Sequence, residues 1–150
     1  MDRMAIIFTP FSTKKNLIRP ILSDINEITP ISTCFIRLVE LKEKDICALY
    51  PSLVKNPIFQ RIVACLSAGT SLFVLLTGEN LCLTTKNIKG KFRHENGVVK
   101  ASGLRLKYQK DRESFEFLFH TTDSSKETDD IGIRLFGQDY LRTVKNLELV

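Results

Sequence analysis

The stretch Thr70–Thr77, "TSLFVLLT", constrains the fold more than any other part of this chain. Successive side chains of a strand point to opposite faces. Five apolar residues in a row, Leu72 to Leu76, therefore put apolar side chains on both faces. Such a strand is central in its sheet and buried on both sides, and helices must cover at least one face. Gly78 ends it. The preceding stretch Ile58–Ala68, "IFQRIVACLSA", is amphipathic at helical spacing, and Gly69 closes it.

The rest of the chain supplies elements of similar kind. "AIIF" at Ala5–Phe8 is a short buried strand, and Pro10 forbids its simple continuation. Leu17, Ile18, Ile21, Leu22 and Ile25 recur at helical spacing behind Asn16 as N-cap, which leaves Pro20 tolerable in the first turn. Ser32–Leu41 has strand chemistry, and a short helix near Lys44–Tyr50 stops at Pro51. Asn80–Ile88 is expected to be helical. Lys89–Gly103 is polar, basic and glycine-containing, and is expected to be a long surface loop. Ser114–His120 alternates as a strand. Ser124 and Glu127 form a capping box that opens a helix to about Leu135.

The resulting order is β-α-β-α-α-β-α-loop-β-α. The 150 residues suit one domain with one core. Four strands separated by helices point to an α+β sandwich of ferredoxin-like βαββαβ form, a four-stranded antiparallel sheet with helices packed on it.

Several function classes are disfavoured. No apolar run approaches the ~20 residues of a membrane span. The N-terminal "MDRMAIIFTPFSTKK" does not read as a signal peptide, so a cytoplasmic location is expected. The net charge of +5 is mildly basic, but only Lys86–Arg93, "KNIKGKFR", is locally dense in charge. The other lysines are scattered without aromatic interleaving, which weighs against nucleic acid. Cys34, Cys47, Cys65 and Cys82 are too far apart for a short metal-ligand or redox pair and read as free thiols among apolar neighbours.

The chemistry concentrates at "FEFLFHTTDSS", Phe115–Ser125. His120 stands at a strand end before a capped helix, where neutral imidazole is a competent nucleophile and backbone N–H groups favour anions. A strand-end histidine bonded to Thr121 or Asp123 for purely structural reasons is the commoner outcome for such a position. Strand alternation puts Phe117 with Phe115 and Phe119, on the face opposite His120. Arg105 in "SGLRLKY" is suited to clamp phosphate, and Lys86 offers a second cation; each alone is more often a surface residue. Tyr50 before Pro51 offers a polar tip or simple packing. Ile58 and Ile62, one helical turn apart, offer core or an apolar wall for a base.

Taken together these pieces resemble the nucleoside diphosphate kinase family, from Ala5 to about Phe136. "TPFSTKKNLIRPIL" is similar to that family's first strand end and lysine-proline-aspartate turn. "LYPSLVKNPIFQRIVACLSAGTSLFVLLTGEN" is similar to its tyrosine-containing helix, Arg-Pro-Phe-Phe motif and central strand. "HTTDSSKETDDIG" is similar to its His-Gly-Ser-Asp-Ser motif and the acidic helix that follows.

The resemblance implies ping-pong transfer of a γ-phosphate between nucleoside tri- and diphosphates, with Mg²⁺ on the phosphates, in a homo-oligomer (a dimer or hexamer). It implies His120 as the phosphorylated histidine, Asp130 as its supporting acid and Tyr50 as the pocket tyrosine. Lys86 and Arg105 fall on phosphate-holding positions. Thr122 and Asp123 match the motif's serine and aspartate, Asp123 with a weak metal role through the phosphates. Ile58 falls where an aromatic stacks on the base, and Ile62 lines the same slot.

Three family positions are altered. The phosphate-binding lysine is Thr9, the sugar-binding asparagine is Phe117, and Phe92 stands near an expected threonine. The aromatic-rich tail is replaced by "TVKNLELV". Lys14, Lys15, Lys91 and Arg93 are near enough in sequence to compensate. The alternative is a catalytically degenerate domain of the same fold, serving as a protein-binding or structural module.

Overall fold

The computed structural model describes residues 1–90, 92–95, 98–109 and 117–148, with 92–95 and 98–101 described as backbone. In chain order the elements are β1 (Asp2–Phe8), α1 (Pro10–Lys14), α2 (Ile18–Ile28), β2 (Ser32–Val39), α3 (Glu43–Leu49), a 3₁₀ turn (Pro51–Leu53) and α4 (Ile58–Leu66). Then follow β3 (Ser71–Gly78), α5 (Leu81–Ile88), β4 (Phe92–Glu95), β5 (Val98–Ala101), α6 (Gly103–Lys107), β6 (Phe119–Thr121), α7 (Ser125–Phe136) and α8 (Gln138–Glu148).

The main sheet runs β2-β3-β1-β6, antiparallel throughout, and β4 and β5 form a separate hairpin. This is the ferredoxin-like α+β arrangement expected from the sequence. β3 lies inside the sheet, buried along nearly its whole length. The alternation of β1 divides the core in two. Ala5 and Ile7 join Phe35, Phe73 and Leu75 under α3, α4, α7 and α8. Met4, Ile6 and Phe8 join Val74, Leu76 and Phe119 under α2, α5 and α6. Both faces of the sheet are thus covered, as the unbroken apolar run of β3 requires.

At four places the structure departs from the sequence expectations or adds to them. Pro10 does not merely end a strand: it begins α1, where its fixed φ and missing N–H cost nothing. Asn16 does not cap α2. It takes a left-handed φ of 56°, and Leu17 occupies the cap position without a side-chain hydrogen bond. The stretch Lys89–Gly103 is not simply a loop, because it carries the β4–β5 hairpin. The tail forms α8, which packs Tyr140 and Val144 into the core.

Two glycines close the base of the hairpin. Gly90 (φ 81°) and Gly103 (φ 62°) both adopt left-handed backbone. A Cβ on Gly90 would collide with the Ser102 carbonyl, and one on Gly103 would sit 2.6 Å from both the Gly90 nitrogen and the Ile88 carbonyl oxygen. Only glycine permits so close a backbone approach with these φ values. The Arg105 N–H donates to the Lys89 carbonyl at 3.2 Å beside this clasp.

Candidate active site

β6 pairs with β1 so that His120 lies opposite Ile7, on the α3–α4 side of the sheet. His120 is only 7% exposed. Its Nδ1 stands 2.7 Å from the Tyr50 hydroxyl, the two sharing one hydrogen, and the rings meet edge to face at 4.6 Å. Tyr50 reaches this place because α3 ends there, turned by Pro51 into the 3₁₀ segment. Nε2 is buried without a hydrogen-bond partner among the described residues and lies 3.9 Å from a Glu127 carboxylate oxygen.

Burial first, then the charges of Lys89 and Arg105, hold the His120 pKa down at about 3, so the ring is neutral near neutral pH. Burial pushes the Tyr50 phenol far above its ordinary range. The pair is therefore an uncharged phenol against an uncharged imidazole.

In front of Tyr50 opens a cavity of about 650 Å³, within the size range of small-molecule sites. Leu53, Ile58, Ile62 and Phe117 give it an apolar wall. Arg61, Lys86, Lys89 and Arg105 give it a cationic one, with Asp123 the lining carboxylate. Arg105 is 8% exposed and donates to the Phe119 carbonyl at 3.3 Å; burial lowers its pKa, which still leaves a guanidinium charged. Lys86 is exposed in the last turn of α5.

The expected residues separate into two groups. Tyr50, Ile58, Ile62, Lys86, Arg105 and Asp123 all line the cavity, with His120 against Tyr50. Asp130 and Thr122 do not belong to it. The Asp130 side chain is 63% exposed and pairs with Lys126 one helical turn away, so the carboxylate facing His120 is Glu127 instead. The Thr122 hydroxyl is buried, accepting from the Ala5 N–H at 2.9 Å and lying 2.5 Å from the Thr128 hydroxyl, where it ties the start of α7 to β1.

Phe117 overturns the strand-alternation argument. It lies before β6 begins and packs in the α3–α4 core, whereas Phe119 packs in the opposite one. Phe117 therefore faces the cavity and touches Tyr50, with ring centroids 6.0 Å apart. Thr9 explains its position. The Thr9 hydroxyl donates to the carbonyls of Phe117 at 2.6 Å and Leu118 at 3.2 Å, and Ser12 donates to Leu118 at 2.6 Å. Thr9 is fully buried and does not line the cavity. Phe115 and the side chains of Lys91, Phe92 and Arg93 fall outside the described residues, while Lys14 and Lys15 are exposed around the end of α1.

Besides Arg61, which lines the cavity from α4, two charged site residues escaped the sequence reading. Glu127 is the first. Its signal was present as the expected capping box, of which one half forms: its N–H bonds Ser124 Oγ at 3.1 Å, while its carboxylate accepts from the Asp123 N–H at 2.9 Å rather than from the N-cap N–H. Lys89 is the second. Its ammonium donates to Thr121 Oγ1 at 2.9 Å and lies 3.5 Å from Asp123. Nothing in the local sequence distinguishes it from Lys86.

No group of three or more His, Cys, Asp or Glu side chains converges as a metal cage among the described residues. The donor set would suit Mg²⁺ only as a cation carried by phosphates, and Asp123, which lines the cavity, is the carboxylate that would be available to it. No helix of the described residues is long and apolar enough to cross a membrane.

The arrangement can hold a multiply charged anion beside a neutral imidazole, on a ferredoxin-like sheet. A family model described as nucleoside diphosphate kinase matches residues 2–139. The chain belongs to the nucleoside diphosphate kinase family. Among solved structures it is similar to the Aquifex aeolicus nucleoside diphosphate kinase, at TM-score 0.64 and 18% identity, covering 95% of this chain and 94% of that one. It is also similar to the enzyme from Encephalitozoon cuniculi, at TM-score 0.67 and 17% identity, covering 93% and 92%. At these identities the likeness shows the fold alone. No curated protein sequence matches the chain.

Proposed function

We propose that the chain is a divergent nucleoside diphosphate kinase in which His120 accepts the γ-phosphoryl group of a nucleoside triphosphate and passes it to a nucleoside diphosphate. The observation that carries this reading is a neutral imidazole whose Nδ1 meets, through Tyr50, a cavity walled by Lys86, Lys89 and Arg105. With the phenol donating to Nδ1, the ring proton sits on Nε2, toward Glu127.

Once Tyr50 swings off Nδ1, its lone pair forms the N–P bond. The bond from phosphorus to the β–γ bridging oxygen breaks, and the electron pair leaves with the nucleoside diphosphate. The ring becomes cationic, and its Nε2–H faces the Glu127 carboxylate. In the return half, a terminal oxygen of the second diphosphate attacks phosphorus, and the N–P pair returns to the ring. Lys89 and Arg105 offset charge on the transferring group, the main service a protein offers phosphoryl transfer. Mg²⁺ on the phosphates supplies further neutralisation. Homo-oligomeric assembly and a cytoplasmic location belong to the same reading.

A second reading, a degenerate domain that binds another protein, is favoured by Phe117 on the cavity wall and by the engagement of Thr9 with backbone. Incubation with γ-labelled ATP separates the two. The kinase reading expects an acid-labile label that is lost in His120→Ala and chased by added nucleoside diphosphate. Equal labelling of wild type and His120→Ala, or none in either, rejects it.

A further inference from the structure

We infer that Lys89 is the phosphate-binding cation of this chain, filling in space the role left empty where Thr9 stands. It does so by exchanging Asp123 for the incoming anion. The inference rests on the phosphate-binding reading of the cavity and names the residue on which that binding turns.

Thr9 cannot serve. It is fully buried and spends its hydroxyl on the carbonyls of Phe117 and Leu118. Lys14 and Lys15 are exposed around the end of α1. Lys89, by contrast, is brought to the cavity by backbone rather than by a flexible side chain. It follows α5 directly, and its carbonyl accepts from the Arg105 N–H at 3.2 Å. The Gly90–Gly103 clasp fixes this approach. Two cationic side chains are thereby held on one wall of the cavity.

The ammonium has three donors. One goes to Thr121 Oγ1 at 2.9 Å. Another meets Asp123 only at the long distance of 3.5 Å, and that carboxylate is itself 54% exposed. A lysine side chain that is 83% withdrawn from solvent is therefore poorly compensated. Burial lowers its pKa, with Asp123 offsetting part of that effect and Arg105 adding to it. A phosphate oxygen can replace the Asp123 contact with a shorter, charge-assisted one. Asp123 then becomes free to turn outward.

This arrangement makes Lys89 and Asp123 opposed rather than cooperative. Removing Lys89 weakens anion binding; removing the Asp123 charge strengthens it, because a competitor and a like charge disappear together. A merely structural ion pair behaves otherwise, since breaking it from either side does similar harm.

Calorimetric titration with inorganic tripolyphosphate, at low salt and with chelator present, reads this directly. Loss of one charged hydrogen bond is expected to weaken binding about tenfold to a hundredfold in Lys89→Met. Lys89→Arg should retain most of the affinity, and Asp123→Asn should bind more tightly than wild type. Lys89→Gln, which keeps a donor for Thr121 while removing the charge, serves if Lys89→Met does not fold, and should show the same loss. Unchanged affinity in the folded neutral variant overturns the inference, as does equal weakening by Lys89→Met and Asp123→Asn, or failure of wild type to bind. Wild-type binding of tripolyphosphate without labelling by ATP would reject the kinase reading and leave the Lys89 assignment standing.

Discussion

His120 is neutral because of where the chain places it. The groups facing it are Tyr50, Glu127, Lys89 and Arg105, and its pKa of about 3 lies well below the roughly 6.5 of an unfolded histidine. Between those values the unfolded chain binds a proton that the folded chain does not, so stability rises with pH through this window and falls on acidification. Thermal melts from about pH 4 to about pH 7 should therefore show a steeper acid decline in wild type than in His120→Gln. An identical slope would mean that the ring is not held neutral. At the same scale, Thr9 and Phe117 are linked. The Thr9 hydroxyl donates to the Phe117 carbonyl, so the side chain at position 9 helps hold the backbone from which Phe117 reaches the cavity wall. Neither sequence position hints at the other, 108 residues away. Lys89 was equally illegible, because it differs from Lys86 only through a backbone approach made across the hairpin. Glu127 was half legible: its spacing from Ser124 announced a helix cap, but that the same carboxylate would face His120 depends on how α7 leaves β6.

Elements with a dominant apolar pattern were legible. β3, α4 and α7 fall within a few residues of their expected bounds, since each is defined by an unbroken run, a single apolar face or a capping box. α8 was not foreseen, although Tyr140, Val144 and Leu147 recur at helical spacing; its polar residues drown the pattern. Its docking depends on α7. Asp129 on α7 accepts from Tyr140 at 2.7 Å and from Arg3 of β1 at 3.0 and 2.6 Å, joining three elements at one carboxylate. Burial alone would raise the Asp129 pKa, but the hydrogen bonds from Arg3 and Tyr140 hold it below the usual carboxylate value. Gly132, one turn further along α7, lies directly beneath the Tyr140 ring, which a Cβ would overlap. Gly132→Ala is therefore expected to cost about 1–3 kcal/mol through overpacking, despite the better helix propensity of alanine. For a domain of this size that lowers the melting temperature by roughly 2–12 °C. An unchanged melt would mean that α8 shifts freely.

For the molecule as a whole, the topology followed from the order of elements and the two-sided burial of β3. The site followed only through the family resemblance, which named Tyr50, Ile58, Ile62, Lys86, Arg105 and Asp123; periodicity and composition could not assemble it, because its lining is drawn from Tyr50 to Asp123 across several elements. A cavity that crowds like charges weakens the empty fold, and a polyanion should relieve it. A nucleoside diphosphate at about a hundred times its dissociation constant is expected to add about 2.7 kcal/mol. That is a rise of roughly 5–10 °C in melting temperature, to be read by differential scanning fluorimetry. A nucleoside without phosphate should give little. An equal rise from the nucleoside would place the affinity in the apolar wall instead.

The Gly90–Gly103 clasp has a further consequence. The chain departs and returns at almost one point, so the backbone at Lys89 and Arg105 is tied together at the clasp itself. A change in the length of the segment between the glycines is therefore expected to leave Lys89 and Arg105 at their posts, provided both glycines stay. The clasp is thus a natural splice point, where evolution or an engineer can exchange one excursion for another while the charge beside His120 stays in register.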